Sequence, residues 1–141
     1  MSSKILGFLV ALLISTIFLS CKHARTNQGE INSKAKLQVL YFHSIIRCPT
    51  CNAIEINTKK VLDHYFKAQM DNATINFASF DIEKEENKAL IEKYQISYTN
   101  LLLIKADGTK TDFTYTAFDC AYTEPAKYTE LLKAEIDKNL K

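Results

Sequence analysis

Residues 37–51 read Leu-Gln-Val-Leu-Tyr-Phe-His-Ser-Ile-Ile-Arg-Cys-Pro-Thr-Cys, and this stretch decides the fold. Its first half, Leu37–His43, is a run of Val, Leu, Tyr and Phe suited to a buried strand. Its second half places Cys48-Pro49-Thr50-Cys51 after a short loop. The next twenty residues carry Ile54, Val61, Leu62, Tyr65 and Phe66 near one helical face, with Glu55, Lys59, Lys60 and Lys67 largely elsewhere. Pro49 stands in the first turn of that helix, where a missing N–H loses no intrahelical partner. A strand thus feeds a helix whose N-terminus holds two cysteines three residues apart, on one face, close enough to bond reversibly.

Beyond this unit, residues 74–81 form a second strand and residues 86–94 a shorter helix. Residues 101–105 (LLLIK) form a third strand, and Ala106-Asp107-Gly108-Thr109 is a turn in which Asp-Gly favours positive φ. Residues 111–116 (TDFTYT) alternate as a fourth strand, paired as a hairpin with the third. Residues 124–139 close the chain as an amphipathic helix through Tyr128, Leu131, Leu132, Ile136 and Leu140, with Thr123 as its cap and Pro125 in its first turn. The order is βαβαββα. A crossover makes strands one and two parallel, and the tight turn makes three and four antiparallel. This is the thioredoxin-like α/β fold: a four-stranded mixed sheet flanked by helices, over residues 37–141.

The N-terminus has a different character. Lys4 precedes an apolar run, residues 5–19, shorter than the roughly 20 residues of a membrane span. Phe18-Leu19-Ser20-Cys21 resembles a lipobox. Residues 1–20 therefore read as a lipoprotein signal peptide and Cys21 as the lipidation site, with an uncleaved signal anchor as the alternative. Lys22 stands where an Asp would signal inner-membrane retention. The polar residues 22–36 read as a tether, which places the domain in the cell envelope, lipid-anchored to a bacterial membrane and facing the periplasm or the cell surface. A net charge of +2 with acids and bases mixed gives no stripe suited to nucleic acid.

A thiolate at a helix N-terminus is favoured by unpaired N–H groups and the helix dipole. Cys48 is thus the candidate attacking thiol and Cys51 the resolving one. Arg47 adds positive charge if its side chain turns toward the sulfur, and Thr50 offers a hydroxyl. A zinc site would need further ligands at suitable spacing, and no second CxxC or CxxH occurs. The hairpin argument carries residues 117–123 back to the edge bearing the CxxC. Cys120 is then a candidate third thiol on that rim, or a small buried apolar side chain. His43 tunes Cys48, ligates a metal, or is a hydrogen-bonded strand end.

Tyr41-Phe42-His43, Arg47-Cys48-Pro49-Thr50-Cys51 and Ala53-Ile54-Glu55 resemble the thioredoxin-like ArsF-type subunit family of nitrophenyl-compound nitroreductase. Residues 92–96, 101–104 and 125–128 extend the match over most of the chain beyond residue 37. The resemblance implies extracytoplasmic thiol redox at the CxxC. With no flavin, nicotinamide or iron–sulfur motif in the chain, and no cofactor expected, it implies electron supply to a reductase partner. Two departures from ordinary thioredoxins stand out. The loop before strand three, Tyr98-Thr99-Asn100, lacks their cis-proline, which aligns peptides and shields the thiols from metal. No buried acid precedes the CxxC on strand one, so Cys51 has no assigned proton acceptor. Three readings follow: a membrane-anchored thiol–disulfide oxidoreductase with a redox partner in the envelope; a soft-metal protein holding a copper-type ion through Cys48 and Cys51 with His43 or Cys120; and a non-catalytic binding module.

Overall fold

A computed structural model describes residues 30–141. Residues 1–29, with the stretch read as a signal peptide, Cys21 and most of the stretch read as a tether, lie outside the described residues. Strand β1 (Leu37–His43) is followed by α1 (Pro49–Tyr65), the short α2 (Lys67–Asp71) and β2 (Ile75–Asp81). A 3-10 turn at Glu85–Asn87 leads into α3 (Lys88–Tyr94), then β3 (Asn100–Lys105) and β4 (Lys110–Asp112). Helices α4 (Thr114–Cys120) and α5 (Pro125–Leu140) complete the chain. The sheet order is β2-β1-β3-β4, with β1 parallel to β2, antiparallel to β3, and β3 antiparallel to β4. The fold is thioredoxin-like, with β1 internal and helices on both faces.

Strand alternation sorts the core. Leu37, Val39 and Tyr41 of β1 pack with α1, α4 and α5 on one face, while Leu40 and Phe42 face α3 with Phe80, Ile96, Leu102 and Ile104. On α1 the inward residues are Cys51, Ile54, Glu55, Thr58, Val61 and Leu62, spaced three and four apart. Tyr65, assigned to that face from the sequence, is exposed, and Phe66 turns into the core in its place, which breaks α1 from α2. Leu131 of α5 is likewise exposed, because Tyr128, Leu132 and Ile136 already fill the stripe.

Residues 30–36 pack against the domain: Ala35 is buried, Asn76 Nδ2 donates to Glu30 O, and Ala106 N donates to Lys36 O. The Asp107-Gly108 turn forms with Gly108 at φ +86° and Asp107 Oδ1 accepting from Thr109 N. Gln95, at φ 57°, ends α3 with a Schellman pair, Ile96 N to Ile91 O and Gln95 N to Glu92 O.

The stretch 111–116 departs from expectation. Pairing ends at Asp112, and residues 114–120 are helical rather than strand and loop. Asp112 Oδ1 accepts from Thr114 N, and Thr114 Oγ1 accepts from Leu101 N, the donor that a continued strand would have taken. Tertiary pairing overrides the β-propensity of Thr and Tyr here. Thr123 also does not cap α5. Glu124 holds that position without a side-chain bond, and Thr123 Oγ1 donates back to Asp119 O.

Candidate redox site at the start of α1

Cys48 occupies the N-cap of α1, in extended conformation (φ −71°, ψ 162°), and its Sγ accepts from Cys51 N at 3.1 Å. The sulfur thus stands where a capping oxygen usually does, against an N–H that the helix leaves unpaired. Pro49 is the first helical residue. Cys48 and Cys51 are joined as a disulfide, with Cα atoms 5.1 Å apart, in the ordinary range for such a bond. Their environments differ. Cys48 is exposed, while Cys51 is 8% exposed and faces the sheet. These are the parts of a thiol–disulfide redox site.

No protein-family model matches the chain, and no characterised protein matches its sequence. A solved structure described as "Structure of a malarial protein" superposes with a TM-score of 0.41 and 20% identity, over 62% of this chain and 98% of that one, too slight a likeness to carry an inference.

Beneath the pair lies a polar cluster that the sequence reading did not assemble. Tyr41, buried on β1, donates its hydroxyl to Cys51 O at 2.7 Å. Glu55, one turn beyond Cys51, is 9% exposed rather than on the solvated side of α1. Its carboxylate accepts from Arg47 Nη1 and, at 2.7 Å, from Lys59 Nζ. The guanidinium of Arg47 also lies 5.9 Å from the centre of the Tyr41 ring. Arg47 is therefore engaged by Glu55 and Tyr41, and not by the sulfur of Cys48. Burial alone would raise the Glu55 carboxyl, but the bonds from Lys59 and Arg47 win and hold it below its ordinary value. Burial pushes the Tyr41 phenol up, against the opposing effect of Arg47, so it stays a donor. The spacing Cys51, Glu55, Lys59 is a run of i+4 steps along one face, and that was the available signal.

The remaining candidates are placed as follows. Thr50 is half-buried and its hydroxyl makes no hydrogen bond among the described residues. Asn100 is buried beside the end of β1, pairing with Phe42, and its Nδ2 donates to Thr114 Oγ1 at 3.2 Å. Tyr98 is exposed and Thr99 half-buried just before it. His43 is buried at the end of β1, with Nδ1 donating to Ser44 O at 3.0 Å and its ring 5.6 Å from that of Tyr41. That is the hydrogen-bonded strand end.

Cys120 ends α4. It is free, fully buried, and its thiol donates to Thr116 O at 3.0 Å. Burial pushes this thiol up, which favours the neutral form. Helix α4 begins at the CxxC edge of the sheet, since Phe113 N donates to Leu101 O. Its far end reaches the middle of α1, where Asn57 Nδ2 donates to Ala121 O at 2.8 Å. Asn57 lies about 13 Å along the helix axis from Cys48. No group of three or more His, Cys, Asp or Glu side chains placed to hold a metal ion occurs among the described residues. Among them, too, no helix is long and apolar enough to cross a membrane.

The loop leading to Cys48 is apolar for an exposed one: Ile46 is 87% exposed and Ile45 is also open to solvent. Ile45 and Ile46 lie just before Arg47, which adjoins the redox pair. Tyr98 and Tyr115 are exposed at the same edge of the sheet, Phe118 farther along α4 and Tyr122 just past its end. Tyr98 and Tyr115 flank Asn100 and Thr114, which are bonded to each other at the same edge.

Proposed function

We propose that this protein is a membrane-anchored thiol–disulfide oxidoreductase, passing electron pairs between Cys48/Cys51 and a protein partner of the cell envelope. The observation that carries this reading is the asymmetry of the pair: an exposed sulfur capping a helix, joined to a buried one. In the reducing direction, the Cys48 thiolate attacks a partner disulfide. The partner S–S bond breaks, a mixed disulfide forms, and the departing partner thiolate takes a proton. Cys51 then loses its proton and attacks Cys48 Sγ. The second partner thiolate leaves and is protonated, the partner has gained two electrons, and the Cys48–Cys51 bond is restored. The reverse sequence oxidises a partner dithiol.

The N-cap position stabilises the attacking anion and the leaving thiolate alike. The resemblance to ArsF-type subunits supports placing the partner in a reductase to which this chain is accessory. The lipobox-like sequence ending at Cys21 supports a lipid anchor. The exposed Ile45, Ile46, Tyr98 and Tyr115 offer the partner an apolar contact.

In the reduced full-length chain, Cys48 should alkylate first, with an apparent pKa below the free-thiol value of about 8.5. Cys48→Ser should abolish exchange, and Cys51→Ser should trap a mixed disulfide that sediments with membranes unless Cys21 is also replaced. Faster labelling of Cys51 than of Cys48 would overturn the assignment.

A further inference from the structure

The residue best placed to govern the redox pair without touching it is Glu55. It sits two turns along α1 from Cys48, and it is the acceptor that draws Arg47, the neighbour of Cys48, back along the helix. Arg47 is half-buried and lies over the Tyr41 ring, so its guanidinium has a defined seat rather than a free swing. Lys59 holds the second carboxylate oxygen. The three charged groups sum to one positive charge, spread along the wall of α1 below the disulfide.

Tyr41 is the titratable group of another element in contact with this cluster, and three more stand at the adjoining ends of β1 and β2. From β1 come the Tyr41 phenol and the His43 imidazole, the latter bonded to Ser44 O. From β2 comes Asp81, paired in register with His43, whose Oδ1 accepts from Glu83 N. From the loop after β2 comes Glu83, whose Oε1 accepts from Ile45 N. Among the described residues, Arg47 and Lys59 are the cations that pair with Glu55.

We propose that Glu55 is a positioning residue for the Cys48–Cys51 pair: by seating Arg47 and offsetting its charge, it limits how strongly the Cys48 anion is favoured, and so sets the balance between disulfide and dithiol. The inference rests on the reading of Cys48 as the attacking thiol. Its physics is Coulombic. Neutralising Glu55 leaves Arg47 and Lys59 uncompensated near the helix N-terminus, where a thiolate would form. That stabilises the anion and, with it, the reduced state. Removing Arg47 leaves Glu55 facing the pair with Lys59 alone, and the effect reverses.

The test uses the purified full-length chain, with the Cys48 pKa read from thiolate absorbance and the dithiol–disulfide balance from equilibration with glutathione. Glu55→Gln should lower the Cys48 pKa by about one unit and shift the balance toward dithiol by up to about tenfold. Glu55→Asp, whose shorter side chain holds Arg47 less well, should move it the same way by less, and serves if Glu55→Gln does not fold. Arg47→Gln should move both readouts in the opposite direction. Thr58→Val, a buried polar change on the same helix without charge, should lower stability and leave the pKa in place. A folded Glu55→Gln or Glu55→Asp protein with an unchanged or raised Cys48 pKa overturns the inference. Failure of the wild-type pair to exchange with glutathione overturns the oxidoreductase reading on which it rests.

Discussion

Successive residues of β1 enter two unlike interiors. Leu40 and Phe42 meet Ala78, Phe80, Ile96, Leu102 and Ile104 under α3, where buried polar side chains such as Gln38 and Asn100 stand only at the margins. Tyr41 and His43, pointing the other way, meet a face where α1 buries polar groups and pairs them. Tyr41 bonds Cys51 O, Thr58 Oγ1 lies 2.6 Å from Tyr128 Oη, and Glu55 holds two cations. On the same face Ser79 Oγ is the one buried side-chain polar atom of the described residues without a hydrogen-bond partner. Both faces stabilise the domain by burial, but only the α1 face connects that burial to the redox pair. Stability and chemistry should therefore separate by face.

The largest effect that tests this division is on the α3 side. Phe42→Ala removes a fully buried ring and should cost about 3–5 kcal/mol, read as a fall in the urea midpoint. Where that leaves too little folded protein, Phe42→Leu should cost less, about 1.5 kcal/mol or under. In either, the ratio of Cys48 to Cys51 labelling in the folded, reduced chain should match wild type. A changed ratio would mean that the two faces are coupled through the sheet.

The α1-side counterpart is Tyr41→Phe, which keeps the ring and deletes one hydrogen bond. The Cys51 carbonyl retains its place in the α1 ladder, so no acceptor is orphaned, and the loss should be only about 1 kcal/mol. The chemical readout should nonetheless move, because the deleted bond ties the first turn of α1 to the sheet. Cys51 should label faster than in wild type. A variant that loses stability with Cys51 labelling unchanged would show that Tyr41 is core and nothing more.

The same contrast governs what the sequence could disclose. The apolar run at Leu37–His43, the CxxC and the Asp107-Gly108 turn each fix local structure through one strong preference, and together they determine the strand order. The edges of the sheet depend on competition instead. Thr114 and Tyr115 favour strands by propensity, yet the Thr114 hydroxyl takes the Leu101 N–H and the chain turns into α4. The hairpin argument locates the start of α4 and carries Cys120 to the CxxC rim, whereas the helix runs on along α1 and buries the thiol, as the apolar reading of that residue has it. Glu55 escaped because a charged residue on an amphipathic helix reads as solvated by default. Only its spacing from Cys51 and Lys59, and the Arg47 that reaches it across the loop, reverse that reading.

The smallest effect, and the one most specific to the α1 face, is its response to acid. The Glu55 carboxyl is held below its ordinary value by Lys59 and Arg47, against its own burial. A group whose pKa is depressed in the folded state adds stability that is present above its unfolded value, about 4.3. That stability is lost as the pH falls through the lower, folded value. The pair with Arg47 and Lys59 is partly open to water, so the contribution should be about 1 kcal/mol or less. Urea midpoints of wild type and Glu55→Gln, compared from neutral pH downward, should differ most above the carboxylate range. They should converge below it, because the wild type then loses a stabilisation that the variant never had. Phe42→Leu supplies the contrast, since its deficit comes from packing on the uncharged face and should stay constant over the same range. Two curves for Glu55→Gln and wild type that remain parallel into acid would mean that the carboxylate is not stabilised by its cations, and the charge balance drawn for the redox pair would lose its foundation.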